Sequence, residues 1–178
     1  MRRARGFTLI EMILAIMILG LLAAAAAMAI SHGTRASLEA QTRVDTLSKL
    51  RVATERMARE IRLMRRDPAA PTDFDIVSRS ASALSFRRLD PDGSTVRTVS
   101  IDGTTPGVVT LGYDSPAVTP QVLTDQVGAF ALVYYQADGT TLSATDADLA
   151  FVEISLTLTD ANGNAFAQRT RVGLRNRQ

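Results

Sequence analysis

Glu11 is the residue whose type and position point most directly to chemistry. It is the only charged side chain in an otherwise almost wholly apolar run from Phe7 to Ile30. A carboxylate in hydrocarbon costs on the order of 2.5–3.5 kcal/mol at a helix centre, and less near the interface. A segment that only anchored the protein would be better served by leucine at this position. The sequence therefore predicts that Glu11 pairs with a cation.

Most enzyme chemistry is excluded by composition. The chain has no cysteine, and His32 is its only histidine. Neither a Cys–His nucleophile pair nor a His-rich metal site can be assembled within it. His32 lies at the predicted membrane boundary and is interpreted as an interfacial polar residue. No glycine-rich phosphate loop follows a strand, since Gly103 and Gly107 lie in turn-like contexts. We expect no catalytic residue, no cofactor and no small-molecule substrate.

The apolar run is long enough to cross a bilayer. Its 24 residues would span roughly 36 Å as a helix, against about 30 Å of hydrocarbon. Three arginines precede it within residues 1–6, whereas the first charges after it, Arg35 and Glu39, have opposite signs. Basic residues stay in the cytoplasm, so we expect the C-terminal bulk on the other side of the membrane.

A cleaved secretory signal is a rival interpretation of the same segment. The alanines from Ala23 to Ala27 could mimic its small-residue cleavage site, with a cut near Ala25. The apolar stretch is too long for that class of signal, and Glu11 fits it poorly.

The segment from Arg5 to Met12, Arg-Gly-Phe-Thr-Leu-Ile-Glu-Met, resembles the N-terminus of type IV pilins and type II secretion pseudopilins. The resemblance implies that prepilin peptidase cuts between Gly6 and Phe7 and methylates the new amine of Phe7. It also implies an assembly role for Glu11, the fifth residue of the mature chain. Electrostatics favours the same role, because a neighbouring subunit's amine would be a strong partner for this carboxylate in a low dielectric.

A long helix is predicted from about Thr8 to Arg66. Beyond Ser31 the apolar residues recur at steps of three and four, and Asp67-Pro68 ends the pattern. The repeating residues are Val44, Leu47, Leu50, Ala53, Met57, Ile61 and Met64.

After Pro71 the apolar period changes to two, which predicts strands. Asn162-Gly163 is a strong hairpin signal between the last two. The predicted strands are Ala83–Leu89, Val96–Ile101, Val108–Tyr113, Ala129–Gln136, Phe151–Thr159 and Ala165–Leu174. The expected fold is α+β and pilin-like, with a long N-terminal helix packed on a C-terminal antiparallel sheet. Its predicted parts are a leader (1–6), a transmembrane helix (7–30), an amphipathic helix (31–66) and a β-sheet domain (72–178).

Charge and acidic clusters suggest no further ligand. Without residues 1–6 the chain has 17 basic and 18 acidic side chains, and acidic residues interleave with the helix arginines. We therefore expect no nucleic-acid binding.

Major pseudopilins hold calcium in a C-terminal loop, which makes Asp146 and Asp148 weak metal candidates, although a solvated loop is favoured. Asp160–Asn164 has the wrong spacing for a calcium loop and is interpreted as a hairpin turn.

Within the resembled family, a minor component is favoured. Met28 stands where major pilins often have proline, and the stretches Glu55–Arg62 and Arg171–Asn176 resemble J-type minor pseudopilins. The expected function is initiation or tip assembly of a secretion pseudopilus, with prepilin peptidase and other minor pseudopilins or pilins as partners. The expected location is the inner membrane, single-pass, with the N-terminus cytoplasmic and the C-terminal domain periplasmic.

Two alternatives stay open. PilW-like minor type IV pilins, which serve adhesion, motility or DNA uptake, share these features. A bitopic membrane protein with a small extracytoplasmic binding domain is an alternative of another class.

Overall fold

One long helix precedes a seven-stranded antiparallel sheet in the computed structural model, which describes residues 8–90, 92–114 and 118–174. Each strand pairs with the next along the chain, so the sheet order is β1 to β7. The predicted α+β, pilin-like arrangement is confirmed. The elements are α1 (Leu9–Arg62), β1 (Ile76–Arg79), β2 (Ala83–Leu89), β3 (Val96–Asp102), β4 (Gly107–Tyr113), β5 (Val118–Tyr135), β6 (Phe151–Thr159) and β7 (Ala165–Gly173).

The chain divides into two compact units, Met1–Arg43 and Val44–Gln178. In the first unit, the described residues form the N-terminal part of α1, and all of them are exposed except the half-buried Thr42. In the second unit, the remainder of α1 packs on the sheet and forms the core with it. The predicted division at Ile30 marks the end of the apolar run and stays a prediction.

The core of the second unit lies between one face of α1 and one face of the sheet. Leu50, Ala53, Met57 and Ile61 from the helix are all nearly inaccessible to solvent. The sheet contributes Leu84, Phe86, Val99, Ile101, Val109, Leu132, Val152, Ile154, Leu156, Leu158 and Val172.

Two residues of the predicted helix face do not belong to this core. Val44 is 64% exposed and Leu47 is 44% exposed. Val44 lies six residues before Leu50, so at about 100° per residue it points roughly 120° away from that side chain. The packed face instead includes two threonines and a glutamate, Thr46, Thr54 and Glu60.

The helix ends at Arg62, four residues before the predicted end at Arg66. The chain beyond it pairs with the sheet, since the Arg65 N–H donates to the Arg87 carbonyl at 3.1 Å. The Asp75 N–H in turn donates to the Arg65 carbonyl at 3.0 Å. Tertiary hydrogen bonds therefore end the helix before Asp67-Pro68 can do so.

Strand β5 is the largest departure from the prediction. It runs over 18 residues, where the sequence predicted a strand only from Ala129. Its first half pairs with β4 and its second half with β6, and the register shifts between Val127 and Ala129. Pro120 is tolerated within the strand because the β4–β5 register is irregular beside it, between Leu111 and Tyr113. Strand β1 was not predicted either.

The predicted hairpin turn between β6 and β7 is confirmed. Gly163 has a φ of 84°, which glycine adopts without steric cost. The Asp160 carboxylate accepts the N–H groups of Asn162 at 2.9 Å and Asn164 at 2.8 Å. These bonds explain the Asp-x-Asn-Gly-Asn pattern by turn geometry.

Candidate functional site

The predicted processing site, Gly6 and Phe7, lies outside the described residues. The described part of the chain starts at Thr8, and α1 begins at the next residue. Cleavage at Gly6 and methylation of Phe7 therefore stay predictions.

Glu11 and Thr8 form a capping box at the start of α1. The Glu11 N–H donates to the Thr8 hydroxyl at 3.3 Å, and the Thr8 N–H donates to a Glu11 carboxylate oxygen at 3.5 Å. This reciprocal pattern supplies side-chain acceptors to the first N–H groups of the helix, and the Glu11 N–H also donates to the Thr8 carbonyl at 3.2 Å. This capping box was not predicted, although the Thr-x-x-Glu spacing is its known signature.

The capping contacts leave room for a stronger partner of Glu11. Both contacts to its carboxylate, from the Thr8 N–H and from the Thr8 hydroxyl, measure 3.5 Å, and the side chain is exposed. A charge-assisted hydrogen bond to an ammonium group is much shorter, at about 2.7–2.9 Å. The local cap and an external cation are thus compatible with the same carboxylate.

The helix around Glu11 exposes apolar side chains on all sides. Leu9 is 82% exposed, Ile10 75% and Met12 60%. An 18-residue window of α1 has a mean hydropathy of 2.7, and none of that window is buried. A helix that is apolar all round needs cover from lipid or from other helices. By length and composition it can cross a membrane.

The weak metal candidates, Asp146 and Asp148, already have partners within the protein. Asp148 accepts the Ser143 hydroxyl at 2.8 Å, the Thr145 N–H at 3.0 Å and the Gln136 amide at 2.9 Å. The Ser143 bond is the main cause of a lowered pKa for Asp148. Asp146 forms an ion pair with Arg79 at 3.0 Å. Across residues 8–90, 92–114 and 118–174, no three His, Cys, Asp or Glu side chains converge as a metal site.

Sequence reasoning also missed a buried charge, Glu60, which is 2% exposed. It lies three residues after Met57 and four before Met64, so helical spacing alone places it on the packed face. Its Oε2 lies 2.9 Å from Arg88 Nη1, and its Oε1 accepts the Tyr113 hydroxyl at 2.9 Å. Arg56 donates to that hydroxyl at 2.8 Å.

The same network continues across the sheet. Arg88 lies 3.2 Å from Asp90, and Arg97 lies 2.6 Å from the other oxygen of Asp90. Burial raises the pKa of the Tyr113 phenol. The network fixes the second half of α1 to strands β2, β3 and β4.

The comparison with protein-family models found one relevant match. Residues 1–27 match the prokaryotic N-terminal methylation motif. The comparison with curated proteins found no match to the chain. The matched segment contains Gly6, Phe7 and Glu11, and it includes the first 19 residues of α1, most of its exposed apolar run. Three features make this chain similar to type IV pilins and pseudopilins, with the helix as a membrane anchor: the methylation motif, the apolar helix that carries it, and the antiparallel sheet that follows.

Proposed function

We propose that this chain is a minor pilin-like subunit, a J-type pseudopilin of a type II secretion pseudopilus. The observation that carries the proposal is a methylation motif whose described part, residues 8–27, exposes all of its apolar side chains. Prepilin peptidase cleaves between Gly6 and Phe7, and the subunit then enters a fibre through α1. Its role is to initiate the fibre or to occupy its tip, together with other minor pseudopilins.

Glu11 sets the register between neighbouring helices in this mechanism. Cleavage creates a positive amine at Phe7, four residues before Glu11. Two helices offset along their axes bring the amine of one near the carboxylate of the other. Because the surroundings are apolar, an unmatched Glu11 would cost several kcal/mol, and the matched register is selected.

The charge distribution supports one orientation. The three arginines of residues 1–6 favour a cytoplasmic N-terminus, which directs the sheet unit to the periplasm. The subunit then resides in the inner membrane until it is incorporated. Its chemistry is assembly, and no residue is assigned a catalytic or cofactor-binding role.

A minor type IV pilin is the second candidate, because the methylation motif is common to both kinds of fibre subunit. The stretch Glu55–Arg62 resembles J-type pseudopilins, but PilW-like minor pilins share this feature, so the stretch does not separate the two candidates. Neighbouring genes discriminate between them: a secretion operon supports the pseudopilus, and a pilus operon supports the pilin.

The mass of the N-terminus in protein from its native cell tests the proposal. We expect a chain that begins at methylated Phe7, and Gly6→Ala should block this processing because the peptidase site excludes a side chain. Ala4→Val, in the same leader, serves as the control and should be processed normally. An intact Met1 would instead support the bitopic protein, and a start near Ala25 a free periplasmic protein.

A further inference from the structure

The two edges of the sheet differ in how well they are protected. Strand β1 has only four residues and a register irregularity between Ile76 and Ser78. Strand β7 has nine residues in unbroken register with β6 and contains no proline. Short or bulged edges resist pairing with another strand, whereas a long regular edge invites it.

The hydrogen bonds at both ends of the β6–β7 pair show which β7 backbone groups point outward. The Asp160 N–H donates to the Asn164 carbonyl, and the Leu174 N–H donates to the Ala150 carbonyl, each at 2.9 Å. Because bonded positions alternate in an antiparallel pair, the even-numbered residues of β7 bond to β6. The N–H and C=O groups of Ala167, Arg169 and Arg171 therefore face away from the sheet.

A groove of about 1100 Å³ lies beside this edge, between the second half of α1 and the strands β6 and β7. Arg59 and Arg62 of α1 line one wall, and Gln168 and Thr170 of β7 line the other. We call it the β7 groove. Alternate side chains of a strand added to β7 would point into it.

Both sides of the β7 edge carry excess positive charge. Arg59 and Arg62 are exposed and form no ion pair within the described ranges. On the opposite face of β7, Arg169 and Arg171 share one carboxylate, that of Glu153, at 3.4 and 2.9 Å. Glu55, also at the groove, is already paired with Arg51 at 2.7 Å.

We propose that β7 binds an extended acidic segment of a partner polypeptide, which adds to the sheet as a further strand. Main-chain hydrogen bonds to Ala167, Arg169 and Arg171 hold the segment. Its acidic side chains alternate between Arg59 and Arg62 in the β7 groove and the arginines on the opposite face. This binding goes beyond the assembly role of the N-terminal helix and does not rest on it.

Peptide binding to the full chain in detergent tests the proposal. The probe is a fluorescein-labelled peptide of nine residues, the length of β7, in which pairs of adjacent glutamates alternate with pairs of valines, so that each face of the added strand carries glutamate. We expect it to bind and to slow amide hydrogen exchange at Ala167, Arg169 and Arg171. A peptide with lysine in place of glutamate should bind at least about tenfold more weakly, because it meets like charges. No binding, or equal binding of both peptides, would overturn the proposal.

Variants separate the backbone contribution from the charge contribution. Ala167→Pro removes an outward N–H without breaking a β6–β7 bond, and should abolish binding, whereas Ala167→Val should retain it. Combined Arg59→Glu and Arg62→Glu should weaken binding at least about tenfold, whereas Arg43→Glu on the exposed helix should not. Unchanged binding by the Arg59/Arg62 variant contradicts the proposal even if the proline variant fails to fold.

Discussion

At the scale of single residues, Glu11 has one observed purpose, helix capping, and one proposed purpose, pairing with an amine of another chain. It caps the helix through Thr8, and its exposed carboxylate remains available to a cation from another chain. Capping needs only a hydrogen-bonding side chain, which glutamine also provides, whereas pairing with an amine needs the negative charge. Substitutions can therefore distinguish the two purposes.

Glu11→Gln should preserve the helix start and membrane insertion but lower incorporation into fibres at least about tenfold, as loss of an ion pair in apolar surroundings implies. Glu11→Leu should have the same effect on incorporation. Thr8→Val removes the hydroxyl half of the cap and keeps the charge of Glu11, so it is the matched control and should assemble nearly normally. The measurement is the fraction of subunit in sheared fibres. Normal incorporation of Glu11→Gln would show that charge pairing does not drive assembly.

Glu60 is a second residue whose neighbours determine its role. It is buried at 2% exposure against Arg88 and Tyr113. Replacing both partners of a buried ion pair by apolar residues is often neutral, but removing one partner leaves a buried charge uncompensated.

Glu60→Ala should lower the free energy of unfolding by about 3 kcal/mol, because Arg88 loses its buried partner and keeps only Asp90, and the Tyr113 hydroxyl loses its acceptor. Glu55→Ala removes a carboxylate from the exposed Arg51–Glu55 pair and should cost less than about 1 kcal/mol. Urea denaturation of both variants in detergent measures the difference. Equal effects of the two substitutions would contradict the assigned role of Glu60.

At the scale of elements, the turn between β2 and β3 has a measurable pH dependence. The Asp92 carboxylate accepts the hydroxyl and the N–H of Thr95 and the N–H of Ser94. These bonds, the Thr95 hydroxyl foremost, lower the pKa of Asp92 from 3.8 to about 2. The stabilisation is therefore present above the unfolded pKa and is lost as the pH falls through the folded pKa.

An NMR titration of the Asp92 carboxyl carbon should accordingly show a midpoint near pH 2. Thr95→Val removes the strongest of the bonds and should move the midpoint upward, toward 3.8. A wild-type midpoint at the ordinary value would show that the turn does not hold the carboxylate in this way.

The elements also show which signals in the sequence were sufficient to predict the structure. The hairpin at Asn162-Gly163 was predicted because its turn geometry depends on adjacent residues. Strand β5 was predicted only in part, since Pro120 normally argues against a strand and its tolerance depends on the irregular pairing with β4. The helix end at Arg62 depends on bonds from Arg65 to a strand far along the chain.

At the scale of the whole molecule, the two units differ in what they bury. Among the described residues, those of the buried apolar core all lie between Leu50 and Val172. Residues 8–41 are all exposed, and their apolar surface has no cover within the described chain. Folding stability therefore resides in the sheet unit, whereas residues 8–41 require lipid or neighbouring helices.

A chain that begins at Ser31 should therefore fold without the apolar segment. We expect its melting temperature to lie within about 4 °C of that of the full chain in detergent, since no core contact is lost. It should fractionate as a soluble protein, whereas the full chain should fractionate with membranes. Circular dichroism and membrane fractionation measure the two outcomes. An unfolded truncated chain would show that residues 1–30 contribute to the sheet unit.

The sequence by itself determined the features that depend on neighbouring residues: the methylation motif, the apolar segment, the amphipathic helix and the Asn162-Gly163 turn. Only the tertiary structure decided the burial of Glu60, the continuity of β5, the end of α1 and the open edge at β7. The physical reason is the distance along the sequence over which each interaction acts. Periodicity and turn chemistry act over a few residues, whereas charge pairing, strand register and edge exposure depend on segments brought together by folding.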